Sequence, residues 1–170
     1  MNEVPQKLGK GMITFAWIFA LGVLTLFFNM LVDKQHNPNA DLNTELAEDG
    51  RRTVTLKRNR SGHYVASGKI NGQKVHFLLD TGATTVSVPE SISGKLGLER
   101  GGEMNTVTAN GTVVTYSTRI NKITLGSIEL HDVRASINPH SGGDEVLLGM
   151  SFLKHLEFTQ RGNILILKQY

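Results

Sequence analysis

The sequence predicts an all-β domain with one or two short helices, carried behind a single membrane-spanning helix. Three observations predict it. An uncharged apolar run fills residues 11–32, and from about Arg51 the chain breaks into short runs rich in Val, Ile, Leu and Thr. Gly or Asn-Gly interrupts those runs at spacings of about 8–12 residues, the texture of an all-β chain. Helical signal is confined to "PESISGKLGL", starting at Pro89, and to "MSFLKHL" after Gly149.

Composition narrows the function classes. The 170 residues, 39% hydrophobic, suit one ordinary domain plus an additional element. With no cysteine, disulfides and Cys-based zinc sites are excluded. The formal charge of +3 is scattered, and no Lys/Arg block is interleaved with aromatics, so nucleic acid is not an expected partner.

In chain order, residues 1–10 form a short N-terminal segment ahead of "GMITFAWIFALGVLTLFFNMLV", Gly11 to Val32. As a helix this run is ~33 Å long, enough to cross a bilayer core. It exceeds a signal-peptide core, and no A-x-A-like site follows in "DKQHNPNA", so an uncleaved anchor is expected at 11–32. Lys7 and Lys10 precede the span while Asp33 and Lys34 follow it, which keeps the N-terminus cytoplasmic. The remainder then lies outside the cytoplasm, in the periplasm if the source is a bacterium. Residues 33–50 are polar and acidic, and read as a flexible spacer. Residues 51–170 supply the folded domain.

Within that domain, "HYVASGKI-NG-QKVHFLLD" reads as a hairpin, because Asn71-Gly72 suits a turn with positive φ at both central residues. In its second arm Val75, Phe77 and Leu79 share one face, and Leu78 and Asp80 the other. "NTVTANGTVVTYST" is a second hairpin around Asn110-Gly111. Further turns are expected at Gly126-Ser127 and near Gly162. No repeat of 20–50 residues is visible, which argues against a solenoid or propeller.

The chemistry is concentrated in "HFLLDTGATTVSVP", His76 to Pro89, where an apolar strand runs into Asp-Thr-Gly. A carboxylate at the end of a buried strand is costly unless it is used. Two carboxylates brought together share one proton; one then acts as base toward water while the other protonates the developing oxyanion. Gly82 permits a tight turn, and the Thr81 hydroxyl can lock it. The triplet alone is weak, since chance supplies Asp-Thr/Ser-Gly in roughly 7% of chains this long. Context has to strengthen it.

"FLLDTGATTVSVP" followed later by "VLLGMSFL" resembles the retropepsin-like aspartic proteases, the group that includes the retroviral enzymes. It is most similar to the bacterial branch in which one N-terminal span precedes one protease domain. The resemblance covers Arg51 to Tyr170 and implies a closed, mainly β retropepsin-like barrel. It implies Asp80 as the catalytic residue, with Thr81, Gly82, Ala83 and Gly149 supporting the catalytic loop. Leu147, Leu148 and Gly149 match the hydrophobic-hydrophobic-Gly element of the family. Thr108, Ala109, Asn110 and Gly111 match the flap, and with Leu78 they are the expected substrate-binding residues. One triplet in one chain implies a homodimer with facing Asp80 side chains acting on a polypeptide, without metal or organic cofactor. "RTVTLK" and "ILILK" are then expected in a dimer sheet, and Thr81 is expected to reach across the axis. Thr84 and Thr85 replace the acidic pair common in the retroviral enzymes, and the flap is less Gly-rich, so viral substrate preferences do not transfer.

Other chemistries fare worse. Leu153 stands where a nucleophile elbow starting at Gly149 needs glycine, so Ser151 is expected on the helix surface or as a cap. His36, His63, His76, His131, His140 and His155 show no metal-ligand spacing. Asp144 follows a Gly-Gly pair that holds catalytic geometry poorly. Two further possibilities share the fold without the chemistry: an inactive, membrane-tethered peptide-binding or scaffolding module, and a structural envelope domain.

Overall fold

The uncharged N-terminal run forms helix α1 (Val4–His36) in a computed structural model that describes residues 4–46, 50–108 and 111–170. From Gly11 to His36 this helix is long and apolar enough to cross a membrane, and its apolar side chains, Trp17 and Phe19 among them, are exposed. It extends past the expected end at Val32 because Asp33 to His36 continue its last turn. The chain divides into two units, Met1–His36 and Asn37–Tyr170.

In the second unit the turn chemistry fixes the hairpins. β3 (Val65–Ile70) and β4 (Gln73–Leu79) are joined by Asn71 and Gly72, with φ of 49° and 85°. These are the positive values that a two-residue hairpin turn requires. Before them come β1 (Asn43–Leu46) and β2 (Arg52–Lys57); after them come β5 (Val86–Pro89) and the single-turn α2 (Glu90–Ser93). β6 (Glu103–Thr108), β7 (Gly111–Leu125) and β8 (Ile128–Asn138) form a meander. β9 (Glu145–Leu148) leads into α3 (Met150–Leu153), and the hairpin of β10 (Glu157–Arg161) and β11 (Ile164–Gln169) follows.

Seven strands form one sheet in the order β3-β4-β9-β5-β8-β7-β6. A further pairing of β3 with β7, through Lys69–Thr124 and Ile70–Ile123, closes the sheet on itself and leaves β6 outside the ring. The expected all-β architecture with two short helices is thus present, as a ring of strands around Phe77, Ile70, Ile120, Ile137, Leu148 and Phe152. Alternation along β4 accounts for its inner face: Val75 and Phe77 are buried, while Lys74 and His76 are exposed.

The other four strands form a second sheet, β1-β2-β11-β10. Two expectations change here. β2 and β11, the "RTVTLK" and "ILILK" segments, pair with each other and are flanked by β1 and β10 of the same chain. Neither has an edge open to a partner's strand, so the sheet's open edges are β1 and β10. The polar stretch expected to be a spacer over 33–50 is also built partly into the fold. Asn39 is buried, donates from Nδ2 to the carbonyls of Lys57 (2.8 Å) and Val65 (2.7 Å), and accepts the Lys57 N–H (2.7 Å). It therefore ties β2 in one sheet to β3 in the other, and β1 is held by backbone pairing with β2. Such anchoring uses hydrogen bonds in place of apolar burial.

Candidate active site

Asp80 directly follows β4, whose end is fixed on both sides. Leu79 pairs with Leu148 in a parallel ladder, and Leu78 pairs with Val65 in an antiparallel one. The Asp80 N–H donates to the Leu148 carbonyl at 3.3 Å, which carries the strand geometry one residue further. The chain then turns sharply: the Gly82 N–H donates to Asp80 Oδ1 at 2.8 Å, and the Ala83 N–H to the Asp80 carbonyl at 3.3 Å. A Cβ on Gly82 would stand 3.2 Å from that same carboxylate oxygen. Asp80 is half-buried while Thr81 and Gly82 are exposed. Among the described residues Oδ1 accepts this one bond and Oδ2 none, so the carboxylate is oriented yet retains acceptor capacity.

The far side of the loop rests on the start of α3. The Met150 N–H donates to the Ala83 carbonyl (2.8 Å) and the Ser151 N–H to the Thr84 carbonyl (3.0 Å). Gly149 makes this approach possible, since a Cβ there would lie 2.6 Å from the Ala83 oxygen and overlap that of Thr85. Asp80, Gly82, Ala83 and Gly149, distant in sequence, are thus brought into one braced structure.

Ser151 completes the brace, in place of the helix-surface or capping position expected of it. It is buried; its Oγ accepts the Val86 N–H at 2.9 Å and donates to the Arg134 carbonyl at 2.7 Å. The loop exit, α3 and β8 are locked together through one hydroxyl. A lone serine in a one-turn helix offers no periodicity from which this could be read. Thr85 adds a hydroxyl contact to Ser136 at 3.3 Å.

The residues expected to form a flap lie at the end of the β6–β7 hairpin. Thr108 pairs with Gly111, and its Oγ1 donates to the Gly111 carbonyl at 2.7 Å; Ala109 and Asn110 lie outside the described residues. Val107 is 83% exposed, so the end of the hairpin carries an apolar side chain in solvent. Leu78 is half-buried on the same face of β4 as Asp80. A cavity of about 730 Å³ lies between the outer strands and the loop before β6. Thr85 is in its wall, with Arg100, Met104, Ser117, Arg119 and Arg134; Asp80 is not. Among the described residues no three His, Asp or Glu side chains gather into a metal-binding group.

Comparison with known proteins places this geometry. The chain is 29% identical over 115 residues to an uncharacterized protein from the cobV 5′ region of Sinorhizobium sp, and 25% identical over 136 residues to an uncharacterized protein of Rickettsia prowazekii (strain Madrid E). These matches cover 66% and 78% of this chain, and 49% and 56% of the relatives, so the chain spans about half the length of the curated relatives it matches. Among solved structures, a retropepsin-like aspartic protease from Rickettsia conorii superposes with a TM-score of 0.57 at 24% identity, over 76% of this chain and 95% of that one. The EIAV protease bound to an inhibitor gives a TM-score of 0.46 at 22% identity, over 58% and 92%. The family described as "gag-polyprotein putative aspartyl protease" matches residues 66–155, from the start of the β3–β4 hairpin to the end of the α3 brace. That match takes in the Asp80 loop and Gly149 together and covers more than half of the chain, which therefore belongs to this retropepsin-like aspartic protease family.

Proposed function

We propose that the chain is an aspartic endopeptidase that works as a homodimer, with one Asp80 from each subunit. The observation that carries this is the half-buried Asp80 carboxylate, fixed on one oxygen by Gly82 and braced from below by Gly149, in a chain with a single Asp-Thr-Gly. Facing carboxylates hold one proton between them. The ionised Asp80 removes a proton from water as its oxygen bonds to the scissile carbonyl carbon, and the protonated one donates to the carbonyl oxygen. Collapse of the tetrahedral intermediate breaks the C–N bond, with a proton passed to the amine. Leu78 and the β6–β7 hairpin, including Thr108 to Gly111, hold the peptide extended, by strand addition. Thr81 and Ala83 keep the loop in register.

α1 anchors each subunit, with residues 1–10 in the cytoplasm and the protease domain outside it, in a bacterial periplasm. Two subunits confined to one membrane meet at a raised effective concentration, which allows a weak dimer to act there.

The test is digestion of a diverse peptide mixture by the full chain in detergent micelles, wild type beside Asp80→Asn, across pH. Cleavage by the wild type alone, with a bell-shaped pH profile, is expected. Wild-type silence in a sample shown to be dimeric would defeat the proposal and favour a peptide-binding module.

A further inference from the structure

We infer that a basic site shared by two adjoining cavities, with Arg134 in the wall between them, binds the carboxylates of an acidic peptide segment. As a statement about substrate choice it rests on the protease assignment; as a statement about binding it does not.

Arg119 and Arg134 stand directly opposite each other in the antiparallel β7–β8 ladder. Like charges at that position repel and weaken the pairing. Both side chains line the 730 Å³ cavity and also a second cavity of about 290 Å³. The first adds Arg100; the second adds Lys154 and His155 from the end of α3, and His131. Internal acids, Glu99 in the wall of the first cavity included, neutralise only part of this charge. Arg119 pairs with Asp132, Arg100 with Glu90, and His131 with Glu129. Among the described residues the side chains of Arg134 and Lys154 form no ion pair or hydrogen bond. A fold that sets two arginines face to face, brings a lysine beside them and leaves two of the three cations unmatched is organised for an anion from outside.

The guanidinium fork takes carboxylates in bidentate fashion, which selects Glu or Asp side chains over neutral ones. A peptide fits better than a membrane surface because Thr85, at the exit of the Asp80 loop, and Met104 and Ser117, from the flap strands, form walls of the same cavity. A peptide lying along that loop thus has the basic site beside its flank, away from the scissile bond.

The experiment uses the full chain in phosphatidylcholine nanodiscs. A fluorescent pentaglutamate peptide is titrated against wild type, Arg134→Glu/Lys154→Glu and Arg134→Lys. Ser151 bonds to the Arg134 backbone carbonyl, so the side chain can change without loss of the brace. Charge reversal is expected to weaken binding by at least about tenfold, Arg134→Lys to retain most of it, and added salt to weaken the wild type. In parallel, kcat/KM is compared for two peptides that differ only by Glu→Gln in the flank. The ratio is expected to favour the acidic peptide by about tenfold in wild type and to approach unity on reversal. Equal pentaglutamate binding by wild type and reversed chain overturns the inference. So does charge-dependent sedimentation with phosphatidylserine vesicles in the absence of pentaglutamate binding, which would assign the site to lipid. Charge-dependent binding with neither peptide cleaved supports the site and removes the protease assignment.

Discussion

At the scale of the residue, Gly149 has a steric role that can be tested without touching Asp80. A methyl group there would lie 2.6 Å from the Ala83 oxygen, so the loop has to move away from α3. Overpacking of this kind costs about 1–3 kcal/mol, and a displacement near 1 Å at a catalytic group costs about 100-fold in rate. Gly149→Ala should therefore lower peptide cleavage by about two orders of magnitude while the full chain remains folded by circular dichroism; undiminished cleavage would show that the loop does not depend on this contact. Ser151→Ala acts differently, through the buried Val86 N–H that loses its acceptor. An unsatisfied buried donor costs about 1–3 kcal/mol, and the thermal unfolding midpoint in micelles should fall accordingly. The two residues also mark how far a sequence discloses a site. Asp80 and Gly82 are visible because Asp-Thr-Gly interrupts an apolar strand, and Gly149 because it ends one. Ser151 is not, since its partners, Val86 and the Arg134 carbonyl, come from strands that only the tertiary fold brings to it.

At the scale of the element, hairpins were legible where turn chemistry is local. Asn71-Gly72, Gly126 and Gly162 all have positive φ and all join paired strands. β1 was illegible because its segment has neither apolar alternation nor burial, and all four of its residues are exposed. It is retained by the β2 ladder and by Asn39 just before it, whose side chain makes three bonds to backbone. Asn39→Ala should thus cost about 2–4 kcal/mol, at roughly 1 kcal/mol per bond plus the exposed partners. Faster hydrogen exchange over residues 43–46, measured by mass spectrometry, is the expected signature, and unchanged protection there would refute it. The β7–β8 pair carries a weaker electrostatic link. The bond from Lys122 holds the Glu129 carboxyl below its ordinary range, helped by His131. A carboxyl whose folded value is depressed stabilises at neutral pH, and that contribution fades as pH falls through the lowered value. In an NMR titration Lys122→Met should raise the Glu129 midpoint toward that of free glutamate.

At the scale of the whole molecule, one triplet per chain makes two-fold assembly a chemical requirement of the proposed mechanism, and mixing tests it most directly. Neither central strand of the four-stranded sheet is open, so a partner that adds a strand to that sheet must use β1 or β10, or else displace one of them. If α1 anchors the subunits as proposed, they can exchange by lateral diffusion in one bilayer. Suppose wild-type chain is co-reconstituted with an equal amount of Asp80→Asn chain. Random pairing places about half of the wild-type chains in mixed dimers, each with a single ionisable Asp80. A mixed pair has no second carboxyl to share the proton, so its activity should be negligible. Cleavage should then fall to about half that of the same amount of wild type alone, and fall further as the variant is added in excess. Cleavage that stays constant at every ratio, with exchange confirmed by fluorescence transfer between labelled chains, would mean that each chain acts alone. The second catalytic group would then have to be found within one subunit.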